Sequence, residues 1–120
     1  MIYTCALVED EPLAEMMLRK YISRISFLEL MWTCTYAHEA VGLMQKHKVD
    51  ILFLDLQSIP VKADSSFSHL INHSPRVIVT SPYPAEATGI PLSVVAFLHK
   101  PIAFEHFLEA IERLVADDDN

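Results

Sequence analysis

The stretch Ile51-Leu52-Phe53-Leu54-Asp55-Leu56-Gln57 decides the fold. Four apolar residues stand in an unbroken row and stop at Asp55. A run this short, rich in branched and aromatic side chains, reads as a strand covered on both faces, that is, a central strand of a parallel sheet. In open parallel sheets, ligands and chemistry collect beyond the carboxyl ends of the strands. Asp55 is predicted to sit at such an end. An isolated buried carboxylate is too costly, so Asp55 requires water, a cation or a hydrogen-bond partner. The plain structural alternative is that it caps the following turn.

Outward from this run, the chain alternates. Ile2 to Val8 carries no charge and no breaker and reads as a first strand, closed by Glu9-Asp10-Glu11-Pro12. Proline suits the first turn of a helix, where its missing N–H has no partner to lose. Ala14, Leu18, Tyr21, Ile22 and Ile25 then recur at helical spacing. Acidic residues complement a helix N-terminus, yet three in a row exceed what the dipole asks for. Phe27 to Cys34 reads as a second strand, with Glu29 marking a wetter edge position. Ala37, Ala40, Val41 and Met44 form a second helical stripe, ended by Lys46-His47-Lys48. Val49 to Leu54 is the third strand.

Residues 56–63 read as a loop. Asp64 is a plausible N-cap for a short helix through Phe67, Leu70 and Ile71, broken by Asn72-His73-Ser74-Pro75. Arg76 to Thr80 is a fourth strand with Ser81 at its end. Ala85 to Ile90 leaves room for a short helix, Ser93 to Leu98 is a fifth strand, and His99-Lys100-Pro101 follows. Phe104, Phe107, Leu108, Ile111, Leu114 and Val115 define the last helix. Five strand-then-helix repeats with right-handed crossovers give a flavodoxin-like, doubly wound five-stranded parallel sheet with helices on both faces. Residues 1–116 are expected to form one domain, and 117–120 an acidic tail or the start of a linker.

Composition excludes several classes. With 52% hydrophobic and 21% charged residues, the 120-residue chain should bury a proper core. No apolar stretch approaches the ~20 residues of a membrane span. Met1-Ile2-Tyr3-Thr4 lacks a signal peptide's basic region and cleavage site, so a cytoplasmic location is expected. Cys5 and Cys34 fall inside strands and are expected to be reduced. The net charge of −7 argues against this segment gripping nucleic acid. It suits a domain that binds a cation or a basic surface.

Glu9 and Asp10, Asp55, Ser81 and Lys100 therefore mark four strand ends. The first and third strands are neighbours at the switch point of such a sheet, so their carboxylates share one crevice. They repel each other unless a hard divalent cation sits among them, and carboxylate, carbonyl and water oxygens suit Mg²⁺. The metal can draw in a phosphoryl group and leave Asp55 to attack phosphorus. Lys100 supplies a fixed positive charge, and the Ser81 hydroxyl can donate to a phosphoryl oxygen.

Val8-Glu9-Asp10-Glu11-Pro12, Ile51-Leu52-Phe53-Leu54-Asp55 and Lys100-Pro101, in this order and spacing, resemble the signature segments of receiver domains of two-component response regulators. Glu-Asp-Glu-Pro-Leu-Ala and Asp-Leu-Gln look most like receivers of the LytTR class. The resemblance implies that Asp55 is the phosphoacceptor, that Glu9 and Asp10 hold Mg²⁺ with the main-chain carbonyl of Gln57, and that Lys100 contacts the phosphate. It makes Ser81 the switch hydroxyl and Phe97 the switch aromatic. It also implies a sensor histidine kinase as partner, a possible homodimer, and DNA contact only through a downstream output domain that this stretch does not contain. The only catalysis expected is self-catalysed phosphorylation and dephosphorylation of the aspartate. The family usually has Met-Pro three and four residues after the aspartate and glycine eight after it; here Ser58, Ile59 and Ala63 stand there. Pro82 replaces a small residue after the switch hydroxyl.

Two other readings fit parts of this pattern. An aspartate-nucleophile phosphatase of the haloacid dehalogenase type wants a second aspartate two residues after the first, where this chain has Gln57. A degenerate receiver would act only by binding a partner. Elsewhere, Met16, Met17, Met31 and Met44 read as core filler and Trp32 as packing. His69 and His73 lie four apart on a possible helix and could bind a metal, though no third ligand stands nearby.

Overall fold

A computed structural model describes residues 1–56, 65–84 and 96–116. The five strands β1 (Tyr3–Val8), β2 (Leu28–Cys34), β3 (Ile51–Asp55), β4 (Val77–Ser81) and β5 (Ala96–His99) form one sheet in the order β2-β1-β3-β4-β5. Every neighbouring pair is parallel. The described helices are α1 (Pro12–Ser23), α2 (Ala37–Lys46), α3 (Ser66–His73) and α4 (Phe104–Ala116). The doubly wound architecture read from the sequence is the one observed.

The continuous apolar strands are explained by two cores. Alternate residues of a strand point to opposite faces. Cys5, Leu7, Ile51, Phe53 and Ile78 meet Leu18 and Ile22 of α1 and Phe107 and Ile111 of α4 on one face. Ala6, Val8, Leu52, Leu54, Val77 and Val79 meet Ala37, Ala40 and Met44 of α2 and Leu70 of α3 on the other. All five residues of β3 are buried, Asp55 among them. Glu29 is exposed on the edge strand β2, as its charge requires. At the opposite edge from the strand ends, Asp50 ties β3 to β1: its Oδ2 accepts from the Thr4 N–H at 2.9 Å, and its own N–H donates to Thr4 Oγ1 at 3.1 Å.

Pro12 opens α1, and Glu11 precedes it as the capping residue. The Glu39 carboxylate closes the first turn of α2 by accepting the Tyr36 N–H at 2.9 Å. α3 runs two residues further than the sequence suggests, through Asn72 and His73, because Pro75 disfavours helix only at Ser74, the residue before it. The Asp64 cap, the short helix over 85–90, the start of the fifth strand at 93–95, the loop departures at 58–63 and the tail 117–120 lie outside the described residues.

Two methionines are not core filler. Met16 is 61% exposed, two positions and about 200° of helix rotation from the buried Leu18. Met31 is 50% exposed because the β1–β2 register slips beside it: Cys5 pairs with Leu30 and Ala6 with Trp32. That bulge leaves Met31 without a partner on β1 and turns it outward. Met44 is buried and Met17 packs on the core as expected. Trp32 packs on the second core, and its indole N–H donates to the His47 carbonyl at 2.9 Å.

Cys5 and Cys34 are both free thiols. Burial pushes each up to about 12, and at Cys34 the Glu39 charge adds to it. At pH 8 that lowers the thiolate fraction roughly a thousandfold from that of an unperturbed thiol. Alkylation of the native chain at pH 8 is therefore expected to be slower than that of the guanidinium-unfolded chain by two to three orders of magnitude. Native and unfolded rates within tenfold of each other would contradict this packing.

Candidate functional site

The carboxyl ends of β1, β3 and β5 bring distant acidic and basic residues together. β1 delivers Glu9 and Asp10 one and two residues past its last residue, and β3 delivers Asp55 as its own last residue. One ligand oxygen from each of Glu9, Asp10 and Asp55 lies within 4.8 Å of the other two. Glu9 and Asp55 are buried, 4% and 1% exposed, whereas Asp10 faces solvent. The cluster thus has two walls and one open side.

Lys100 closes it from the turn after β5. Its Nζ donates to Glu9 Oε1 at 2.9 Å and lies 3.4 Å from Asp55 Oδ2. Burial alone lowers the basicity of this ammonium. The Glu9 hydrogen bond and the charges of Asp55 and Glu9 more than offset that, so its pKa stands above the ordinary lysine value. A lysine raised in this way is charged throughout the neutral range, and its contribution to stability is lost only in strongly alkaline solution. The Lys100-Pro101 bond is cis, and the Lys100 N–H donates to the Ser81 carbonyl at 2.7 Å, tying the β5 turn to the end of β4.

Three carboxylates against one ammonium leave a formal charge of −2 in the cluster. A divalent cation cancels that charge, and an all-oxygen donor set with one solvent-facing member matches the preference of Mg²⁺ for hard ligands and retained water. These residues therefore fit the metal expected from the sequence. Gln57 lies outside the described residues.

Ser81 is the last residue of β4, and Thr80 before it is in register with Asp55. Its side chain is buried, and Oγ accepts the Tyr83 N–H at 3.0 Å. An accepting hydroxyl keeps its proton for donation elsewhere. Phe97 on β5 is half-buried against the second core. Two further contacts and a groove carry no sequence signal. The Glu11 N–H donates to Glu9 Oε2 at 3.2 Å and so fixes the carboxylate from both sides, together with Lys100. His99 Nε2 lies 2.9 Å from the Pro82 carbonyl and braces the turn after Ser81. A groove of about 480 Å³ runs beside Lys100, between Glu11, Leu13 and Met17 on one side and Pro82 and Pro101 on the other.

No protein-family model matches the chain. A stretch of 51 residues, 42% of the chain, is 41% identical to the transcriptional regulatory protein BtsR of Escherichia coli K12. The BtsR of Salmonella typhi matches to the same extent. The stretch spans about a fifth of the length of these curated relatives, 21%. Among solved structures, the response regulatory domain of MrkE from Klebsiella pneumoniae superposes with a TM-score of 0.80 at 20% identity, covering 95% of this chain and 96% of that one. The receiver domain of RcsB from Salmonella enterica serovar Typhimurium, solved in the presence of phosphomimetic BeF3⁻, gives 0.82 at 16% identity, covering 97% and 90%. That of the response regulator NarL from Mycobacterium tuberculosis gives 0.79 at 18%, covering 94% and 95%. The chain has the fold of response regulator receiver domains.

Proposed function

We propose that this chain is a phosphoacceptor receiver domain of a two-component response regulator, with Asp55 as the acceptor. The observation that carries the reading is the convergence of Glu9, Asp10 and Asp55 upon Lys100 at the ends of three strands. A carboxylate oxygen of Asp55 attacks phosphorus. The new P–O bond makes an acyl phosphate, and the bond to the donor's leaving group breaks with its electron pair leaving on that group. In this reading the donor is the phosphohistidine of a sensor kinase. Mg²⁺ bound by Glu9, Asp10 and Asp55, with the Gln57 carbonyl as a further ligand, supplies neutralisation of the phosphoryl charge. Lys100, held charged by its neighbours, pairs with a phosphoryl oxygen. Ser81 keeps a hydroxyl proton free to donate to another.

The likeness to BtsR supports a regulator of the LytTR class whose DNA contact resides in another domain. Among the described residues no helix is long and apolar enough to cross a membrane. Intact-mass measurement after incubation with acetyl phosphate tests the proposal: an adduct that forms with Mg²⁺ and does not form when EDTA is present throughout is expected. Its absence at saturating donor and metal would leave a module that works by partner binding alone.

Asp10→Asn is expected to weaken Mg²⁺ binding. Even at the dielectric of water, one unit charge ~4 Å from a divalent ion is worth roughly thirtyfold in affinity. Asp10 is exposed and the substitution relieves like-charge repulsion, so the metal-free variant should melt no lower than the parent. An unchanged Mg²⁺ titration would remove Asp10 from the ligand set.

Output in this reading runs from Ser81 to Phe97. Drawing the hydroxyl towards a phosphoryl group vacates space that Phe97 can fill by changing rotamer, altering the face shared by β5 and α4. Beryllofluoride-treated protein is therefore expected to self-associate more strongly than untreated protein in sedimentation velocity, and Ser81→Ala to reduce the difference. Complete phosphorylation with identical sedimentation at every concentration would exclude a dimer switch.

A further inference from the structure

His69 and His73 stand one helical turn apart on α3, which places both side chains on one face. Their ring centroids are 4.1 Å apart and their planes differ by 19°. His73 is exposed and His69 half-buried, so the pair is open to solvent on one side. Nδ1 of His73 lies 2.8 Å from the main-chain oxygen of His69. A carbonyl only accepts, so Nδ1 carries the proton, and Nε2 of the neutral ring is left with the lone pair. Donation of one ring N–H to a backbone carbonyl is how metal-ligating histidines are held in tautomer and orientation. The pair borders a groove of about 440 Å³ between α2 and α3, whose other polar lining is Gln45, Lys48 and Ser74.

We infer that His69 and His73 form a two-histidine clamp for a borderline-soft divalent cation of the Zn²⁺ or Cu²⁺ class. Imidazole nitrogen suits these ions, whereas Mg²⁺ selects oxygen, so the clamp and the acidic cluster do not compete for the same metal. Two nitrogens bound tetrahedrally at 2.0–2.1 Å stand roughly 3.3 Å apart. The stack holds the two rings side by side with centroids 4.1 Å apart, and one ring must turn out of it to aim its in-plane lone pair at an ion shared with the other. With two protein ligands, water completes the coordination and the ion exchanges freely. Lys48 lines the same groove and adds a positive charge that weakens cation binding, which favours an exchangeable site over a structural one. His73 lies in the last turn of α3, just before β4 begins, at the sheet edge away from Asp55. The clamp is therefore independent of the phosphoacceptor reading.

The test is a calorimetric titration of the whole chain with ZnCl₂, with excess Mg²⁺ present to occupy the acidic cluster. One Zn²⁺ per chain is expected. His69→Gln and His73→Gln are each expected to weaken it at least about tenfold, since each removes one of two ligands. Thermal melts of both variants without metal should match the parent, separating loss of a ligand from loss of fold. Loading with Cu²⁺ should give an electron paramagnetic resonance spectrum with hyperfine coupling to two imidazole nitrogens, reduced to fewer in either variant. A zinc isotherm that is the same in parent and variants, or no uptake at all, overturns the clamp. So does a copper spectrum without nitrogen coupling.

Discussion

Asp55→Asn is expected to abolish the phosphoryl adduct: the parent chain should gain about 80 Da from a small phosphodonor and Mg²⁺, and the variant nothing detectable. The size of the effect follows from chemistry at a single atom. A carboxamide oxygen is a far weaker nucleophile than a carboxylate oxygen, so the substitution removes the attacking group itself. Asparagine has nearly the shape of aspartate, so the 1% exposed position should accept it without a cavity. Lys100 keeps Glu9 as a partner at 2.9 Å and is not left as an uncompensated buried charge. Circular dichroism of the variant should therefore match the parent while the adduct is lost. Glu9 and Asp10 make this measurement discriminating, because each places a carboxylate oxygen within 4.8 Å of one from Asp55. An adduct that survives the substitution would move the acceptor to one of them, and peptide mapping would show which.

The parts of this molecule legible in the sequence are those set by burial along one strand or one helix. β3 was readable because both of its faces are covered, which leaves no polar position before Asp55 to interrupt the pattern. α4 was readable because Phe107 and Ile111 carry a single stripe onto a single core. The exposure of Met31 is not legible, because it comes from a register slip between two strands, which no periodicity within β2 records. The link from Lys100 to Glu9 spans 91 residues and depends on strand order, so spacing alone announces the residues but not the bond. Likewise the Glu11 N–H that orients Glu9 is a main-chain group, and main-chain donors leave no trace in residue identity. The position of Ser81 at the end of β4 is legible, while its acceptance of the Tyr83 N–H reflects the shape of the turn through Pro82.

Phe107→Ala is expected to be the most damaging single truncation in the core, costing about 3–5 kcal/mol. Phe107 is fully buried on the inner face of α4. Its ring stacks on Phe53 of β3 with centroids 5.4 Å apart and planes at 14°, and it meets the Tyr21 ring of α1 at 5.4 Å. One side chain thus joins the central strand to both helices of this face. The aromatic contacts add roughly 0.5–1.5 kcal/mol each to the area effect. Collapse into the vacated space is resisted because its walls are anchored: the Tyr21 hydroxyl is held on the Ile102 carbonyl at 2.7 Å, and Phe53 is fixed by β3. A domain of this size has about 5–15 kcal/mol of stability, so the loss is roughly a fifth of it or more. In melting temperature that is roughly 10–20 °C. Leu13→Ala is the matched control, since Leu13 is 73% exposed on α1 and its truncation should fall within about 0.5 kcal/mol of the parent. Urea titration of the three proteins measures both values directly. A loss below 1 kcal/mol for Phe107→Ala would mean that the wall between β3, α1 and α4 repacks, and that the position of Asp55 does not depend on the ring beneath Phe53.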